Sequence, residues 1–374
     1  MKFLIVFLFT VNAFAGFTAF PPSSTAPDSI ATKGGLLTST GSAQVEALAC
    51  DPDEIIKFDS SQANGFKCSK ILSEAGINWS SYKHTFTSTN TSDVIYAGGQ
   101  FVATTSGSTG LLDRILTSPD GINWTGRDIP LNTSWRALTY GNGLYVAVAG
   151  SSLTSVMTSP DAITWTLQTT PNTNNWSDIT YGNGLFVAVG YTGVGNRVMT
   201  SPDGVNWTSQ TSAADNSWAG VAFGNGLFVA VSSDGTLDRM MTSSDGITWA
   251  SVVTDDTYWT TVEYANNQWV AVGNAVGTDV LFNGVKTSTD GITWTSGTTP
   301  FDNSWFGLAY GNGRWVCVGN TSTNDFNKVM TSIDGIVWNS RNSGADVNAW
   351  SASVAYGNGV FISGSSVNEI LISK

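Results

Sequence analysis

The sequence predicts an all-β protein, a seven-bladed β-propeller of four-stranded blades closed by its N-terminal strand and preceded by a short stem. Three observations predict it. The stretch Thr200-Ser-Pro-Asp-Gly-Val-Asn-Trp207 recurs down the chain, with copies starting at Ser118, Ser159, Ser201, Ser243, Ser288 and Ser332, in steps of 41, 42, 42, 45 and 44 residues. A second signature keeps pace: a Trp, then an aromatic-Gly-Asn-Gly turn, then an apolar run, as in Trp176 followed by Tyr181-Gly-Asn-Gly-Leu-Phe-Val-Ala-Val189. No helical periodicity occurs between these signatures, and a repeat in the forties is the signature of propeller blades or solenoid units.

Each repeat divides into four short strand-like runs. In one copy these are Trp176–Tyr181, Leu185–Gly190, Arg197–Ser201 and Val205–Ser209, with Gly, Asn, Ser and Thr at the joints. Side chains alternate between the faces of a strand, and both sets in Leu185–Val189 are apolar, so this strand expects cover on both sides. A blade between two neighbours supplies that cover. In Ser-Pro-Asp-Gly, Pro presets the turn, Asp bonds amides ahead of it and Gly takes the positive φ. Ala162 replaces that Gly in one copy, at a cost of about 1 kcal/mol if the position is left-handed. The Trp closing each copy (124, 165, 207, 249, 294 and 338) carries a large apolar face to bury.

Ser243-Ser-Asp-Gly-Ile-Thr-Trp249 resembles the Asp-box of sialidase-like (BNR) propellers, one residue shorter than the usual form. The resemblance spans roughly residues 73–374 and implies structural turns at Asp120, Asp161, Asp203, Asp245, Asp290 and Asp334. It implies nothing about activity, because the family's box lies away from its active site. Turns of the second kind stand at Tyr96, Tyr140, Tyr181, Phe223, Tyr264, Tyr310 and Tyr356, which makes seven. The chain finishes on a third strand, Glu369–Lys374, while a box-like Ser73-Glu-Ala-Gly-Ile-Asn-Trp79 stands near the start. The N-terminal strand is therefore expected to complete the last blade and remove the open edges.

Residues 1–15, with a basic start, an apolar centre and Ala13-Phe-Ala15 at the end, read as a secretory signal peptide, too short to span as an anchor. Residues 16–31 read as a linker. Within 32–71, Lys33-Gly-Gly-Leu-Leu37 and Asp59–Lys67 resemble a stem motif of phage tail fibres and of the fibre-like adhesins secreted by predatory bacteria. That resemblance implies a homotrimer; a plain spacer is the alternative. The propeller is assigned to 72–374. Cys50 and Cys68 flank the variant part of the stem, and oxidising conditions outside the cell make them a disulfide candidate, within one chain or between chains. Cys317, inside an apolar strand, reads as an inert core thiol.

The net charge of −12 argues against nucleic acid and anionic lipid as partners. His84 is the sole histidine, which excludes a confident Ser-His-Asp triad or a His-rich metal site. No cofactor or metal motif is found, and no spaced Asp array for calcium. A sialidase-like site would use an arginine triad with one Arg in Phe/Tyr-Arg-Ile-Pro, absent here. Asp238, Asp255, Asp256, Asp279 and Asp325 remain as acids not explained by turns. The expectation is a protein without catalysis.

One set of turns is nearly constant between repeats, and the set joining second to third strands is diverse, which is where binding usually resides. That points to Tyr191, Asn196, Arg197, Asp238, Arg239 and Asp279. The Trp opening each inner strand (Trp135, Trp176, Trp218, Trp259, Trp305 and Trp350) approaches the same face and could stack on sugar rings; packing between blades explains these six more simply. The reading that follows is a secreted, trimeric fibre adhesin whose tip recognises a surface glycan. A secreted sialidase-like glycoside hydrolase is the alternative, and a phage tail-fibre receptor-binding protein the second.

Overall fold

In the computed structural model, the described residues are 36–40, 44–48, 54–58 and 66–70, and those of 76–373 other than 77, 84–89, 107–112, 151–155, 256, 275–283, 301–302, 321–327, 342–349 and 366–368. Every regular element among them is a strand. The chain divides into two units, Met1–Ser73 and Glu74–Lys374.

The first unit holds β1 (Leu36–Thr40), β2 (Gln44–Leu48), β3 (Glu54–Phe58) and β4 (Phe66–Lys70). They form two antiparallel hairpins, β1–β2 with Leu36 opposite Leu48 and β3–β4 with Ile56 opposite Cys68. The signal peptide, the linker and Cys50, hence any Cys50–Cys68 bridge, lie outside the described residues.

The second unit repeats one antiparallel meander. After β5 (Ser80–Lys83) come β6 (Asn90–Ala97), β7 (Gln100–Ser106), β8 (Asp113–Ser118) and β9 (Thr125–Asp128), then β10 (Trp135–Gly141), β11 (Leu144–Ala149), β12 (Val156–Ser159) and β13 (Thr166–Gln168). Next are β14 (Trp176–Gly182), β15 (Leu185–Gly190), β16 (Val198–Ser201) and β17 (Thr208–Gln210), followed by β18 (Trp218–Gly224), β19 (Leu227–Ser232), β20 (Met240–Ser243) and β21 (Ala250–Val252). β22 (Tyr258–Ala265), β23 (Gln268–Asn274), β24 (Val285–Ser288) and β25 (Thr295–Ser296) adjoin β26 (Ser304–Gly311), β27 (Arg314–Asn320), β28 (Val329–Ser332) and β29 (Asn339–Arg341) through a single pair, Asn274 opposite Ser304. Last come β30 (Trp350–Gly357), β31 (Val360–Ser365) and β32 (Glu369–Ser373), which take β5 as their fourth strand, Ile370 opposite Tyr82.

The first strands of successive sheets lie against one another from β6 through β10, β14, β18, β22 and β26 to β30, and β30 lies against β6. Apolar clusters bridge neighbouring sheets: Val146 and Val148 of one pack with Trp176, Phe186 and Trp207 of the next. The second strands are buried on both faces, as Leu185–Val189 required; Phe186, Val187, Ala188 and Val189 are all fully buried.

The turns follow the sequence chemistry. In the Asn-Gly hairpins Asn183 and Gly184 have φ of 50° and 78°, the paired positive values of a type I′ turn. The Gly before each Asn has another job: a Cβ on Gly182 would stand 2.0 Å from Cγ of Phe223 in the next sheet. In the Ser-x-Asp turns the Asp245 carboxylate accepts from Ile247 N (2.8 Å) and Thr248 N (2.7 Å), and Ser243 Oγ accepts from Gly246 N at 2.8 Å. The amides of Thr248 and Ile247 hold Asp245 down, to about 2. Ala162 sits at φ 61° with its side chain fully buried.

One such turn is assembled from both ends of the unit. Gly76 N donates to Ser373 Oγ at 2.6 Å, and Trp79 Nε1 donates to Gly76 O at 3.2 Å. Ser373 closes β32 as Ser243 closes β20, so the serine of this turn is Ser373 and not the Ser73 suggested by the sequence.

Candidate functional site

The first strands surround a cavity of about 1000 Å³, to which β6, β10, β14, β18, β22, β26 and β30 all contribute. Its wall is mostly small and hydroxylated, including Ser92, Ser134, Ser177, Thr260, Thr261 and Ser353. Into it come three carboxyl groups, Asp93, Asp178 and Glu263, and one guanidinium, Arg136.

A β-bulge aims the acids. The register shifts between Thr91 and Asp93, between Trp176 and Asp178 and between Trp259 and Thr261. Strict alternation from Trp176 would put Asp178 in the core; the extra residue instead sends Ile179 inward, where it is buried, and leaves Asp178 on the cavity wall. Asp178 then joins two sheets, accepting from Ile179 N and from Val221 N of β18, both at 2.8 Å. Asp93 joins three. It accepts from Val94 N (2.8 Å), Leu138 N of β10 (2.9 Å) and the Ser353 hydroxyl of β30 (2.7 Å).

Desolvation within the ring raises Asp93 above its ordinary value, against those three hydrogen bonds. The same burial, with the charge of Asp93 nearby, raises Asp178 to about 7. Glu263 goes to about 8, through desolvation and through the charges of Asp178 and Asp93. Its side chain is exposed, which tempers the desolvation and leaves the like charges as the firmer cause. Carboxyls that are part protonated near neutrality can donate as well as accept hydrogen bonds.

The residues singled out from sequence fare unequally. Trp135, Trp176 and Trp218 are fully buried, and Trp259 and Trp305 are 1% exposed, so their faces are packing surfaces between sheets and cannot stack on a sugar. Trp350 opens β30, and Asp279 lies outside the described residues, as do Asp256, Asp325 and His84. Two of the loops expected to differ, those ending at Arg197 and Arg239, are built alike. Asn174 Nδ2 donates to Asn196 O (2.8 Å), as Asn216 Nδ2 does to Asp238 O (2.9 Å); Arg197 Nε donates to Gly193 O (2.9 Å), as Arg239 Nε does to Gly235 O (3.0 Å). Asn196, Arg197, Asp238 and Arg239 thus hold their own loops. Arg239 also lies over the Tyr258 ring at 4.6 Å, and Asp255 is paired with Lys286 at 2.6 Å. Of the described loop residues singled out, Tyr191 lines the cavity, beneath Arg136.

The cavity acids were missed in the sequence. Their signal was positional: Asp93 and Asp178 stand at one repeat position, where four other repeats have Ala137, Gly220, Thr261 and Gly307.

No protein-family model matches the chain, and no curated protein matches its sequence. Solved structures do match. Virginiamycin B lyase from Staphylococcus aureus superposes with a TM-score of 0.66 at 11% identity, over 80% of this chain and 99% of that one. YCF48 bound to D1 peptide gives 0.59 at 14% identity, over 81% and 99%. The fold is a β-propeller. Its four-stranded antiparallel sheets are the blades, and the cavity is the propeller's central channel. A streptogramin B lyase also matches, with a TM-score of 0.64 at 9% identity over 80% of this chain and 97% of that one. These neighbours correct the expectation of a protein without catalysis, because enzymes are built on the same propeller; at such identities the likeness carries the fold alone.

Proposed function

We propose that this chain is a secreted adhesin, carried on a trimeric fibre-like stem, whose propeller tip binds a surface glycan in the central channel. The propeller is taken as a ring of seven blades, closed by β5 and by the Asp93–Ser353 hydrogen bond. The observation that carries the reading is the channel of about 1000 Å³ lined with hydroxyls and three carboxyl groups. Sugars are recognised by such sets of donors and acceptors, and pockets of this size are typical of ligand sites. The burial of the inner Trp side chains moves the proposed contact from the loop rim into the channel. A glycan array with the full chain tests this: binding to a defined set of glycans, lost in the Glu263→Gln and Asp178→Asn variants while both remain folded, is expected. Binding that survives both changes would sink the channel assignment.

The raised Asp178 and Glu263 carboxyls favour a second reading, a glycan-cleaving enzyme in which one of them protonates the leaving group. Incubating the full chain with any bound glycan and separating the products decides between the two. Turnover abolished by Glu263→Gln marks an enzyme, and an intact glycan an adhesin.

A further inference from the structure

In a chain of near-copies, a residue that the repeat does not explain calls for another cause. After the inner Trp the other repeats carry Ser177, Ala219, Thr260, Phe306 and Ser351, but β10 carries Arg136. One residue past the partner of the inner Trp on the second strand, they carry Gly150, Ser233, Asn274 and Asn320 where this blade carries Tyr191. These two departures sit on neighbouring blades and touch: the Arg136 guanidinium carbon is 5.4 Å from the Tyr191 ring centroid.

The contact is built rather than incidental. A Cβ on Gly150 would stand 2.6 Å from Arg136 Nε, so the side chain runs across that glycine, and the Tyr191 hydroxyl donates to Gly150 O at 3.2 Å. Arg136 and Tyr191 both line the channel, and Arg136 is the one Lys or Arg among the lining residues. Its side chain is exposed, with no hydrogen bond or ion pair recorded among the described residues. A guanidinium spread on an aromatic ring is held in place while its donor edge stays free, the arrangement that suits a planar or tetrahedral anion. The channel acids do not cancel it. Asp93 and Asp178 already accept backbone amides, and burial raises Asp178 to about 7 while burial and like charges raise Glu263 to about 8.

We propose that the channel ligand bears an anionic substituent, a carboxylate or sulfate on a saccharide, and that Arg136 on Tyr191 is the residue that reads it. This rests on the channel being a glycan site. The test is an array in which each acidic glycan is printed beside its neutral counterpart: uronates beside their methyl esters, sulfated glycans beside desulfated ones. Acidic members are expected to bind about 10–100-fold more tightly than their partners, the span of a hydrogen bond to a charged group. Which pairs respond tells carboxylate from sulfate. Arg136→Ala should abolish that preference with the melting temperature unchanged, and Arg136→Lys should recover only part of it. Equal binding to neutral partners, or an acid preference that survives Arg136→Ala, overturns the inference and leaves the glycan reading standing. Binding to no glycan overturns both.

Discussion

At one end of the first strands, the Asn-Gly hairpins repeat with φ of 48–50° at Asn142, Asn183, Asn225, Asn312 and Asn358, and the Ser-x-Asp turns repeat the same hydrogen bonds. At the other end and along the channel, Arg136, Tyr191 and Glu263 each stand on one blade, and Asp93 and Asp178 share a repeat position held by Ala137, Gly220, Thr261 and Gly307 in four others. The difference teaches how to separate scaffold from site without any second sequence. What the repeats share is needed by every blade, and what one blade alone carries in the channel answers to something outside the blade.

The strongest way to sharpen the contrast is to damage the shared part. Trp176→Ala, removing a fully buried side chain, should cost about 3–5 kcal/mol; an unmoved thermal midpoint would refute the packing role. Gly182→Ala comes next, because the new Cβ would meet the Phe223 ring at 2.0 Å, and overpacking of this kind costs about 1–3 kcal/mol. Chemical denaturation measures it. Both changes should leave ligand preference alone in whatever protein remains folded.

Acid–base titration separates the two ends by sign. Asp245 and Asp290 are held down, to about 2, by backbone amides in their turns, so the stability they lend is present above pH 4 and is lost as the pH falls toward 2. Asp178 and Glu263 are raised to about 7 and about 8. Stability they contribute is full below pH 4 and declines as the pH rises through 7 and 8. Asp178→Asn should therefore flatten the fall in melting temperature between pH 5 and 8, and an unchanged slope would show that water in the channel keeps the group ordinary. The smallest effect belongs to Ala162→Gly. Relief of the 61° φ gains up to about 1 kcal/mol, set against the loss of a buried methyl.

The shared part was legible in the sequence and the unshared part was not, for a physical reason. Turn residues and the double-sided apolar strands speak through type and spacing, and repetition amplifies them, so the four-stranded sheets could be read directly. The channel acids depend on where a strand side chain points. The bulge between Trp176 and Asp178 reverses the alternation on which that reading rests, so a residue two positions from a buried Trp, expected in the core, faces the channel instead. The inner Trp side chains were open to two readings in the sequence, packing and sugar stacking, and the burial of Trp135, Trp176, Trp218, Trp259 and Trp305 favours packing, the simpler one.

The turn shared between Gly76 and Ser373 carries a consequence for the order in which the protein folds. Every other Ser-x-Asp turn joins residues three apart, so those blades close locally and can form as soon as their own segment is present. The turn at Gly76 spans 297 residues of chain, and such distant contacts carry the largest loop entropy and form slowly. The blade of β30–β32 and β5 therefore completes last. Until then β32 offers an unpaired edge to other chains, and the folding protein is most vulnerable to self-association in the interval before its two ends meet.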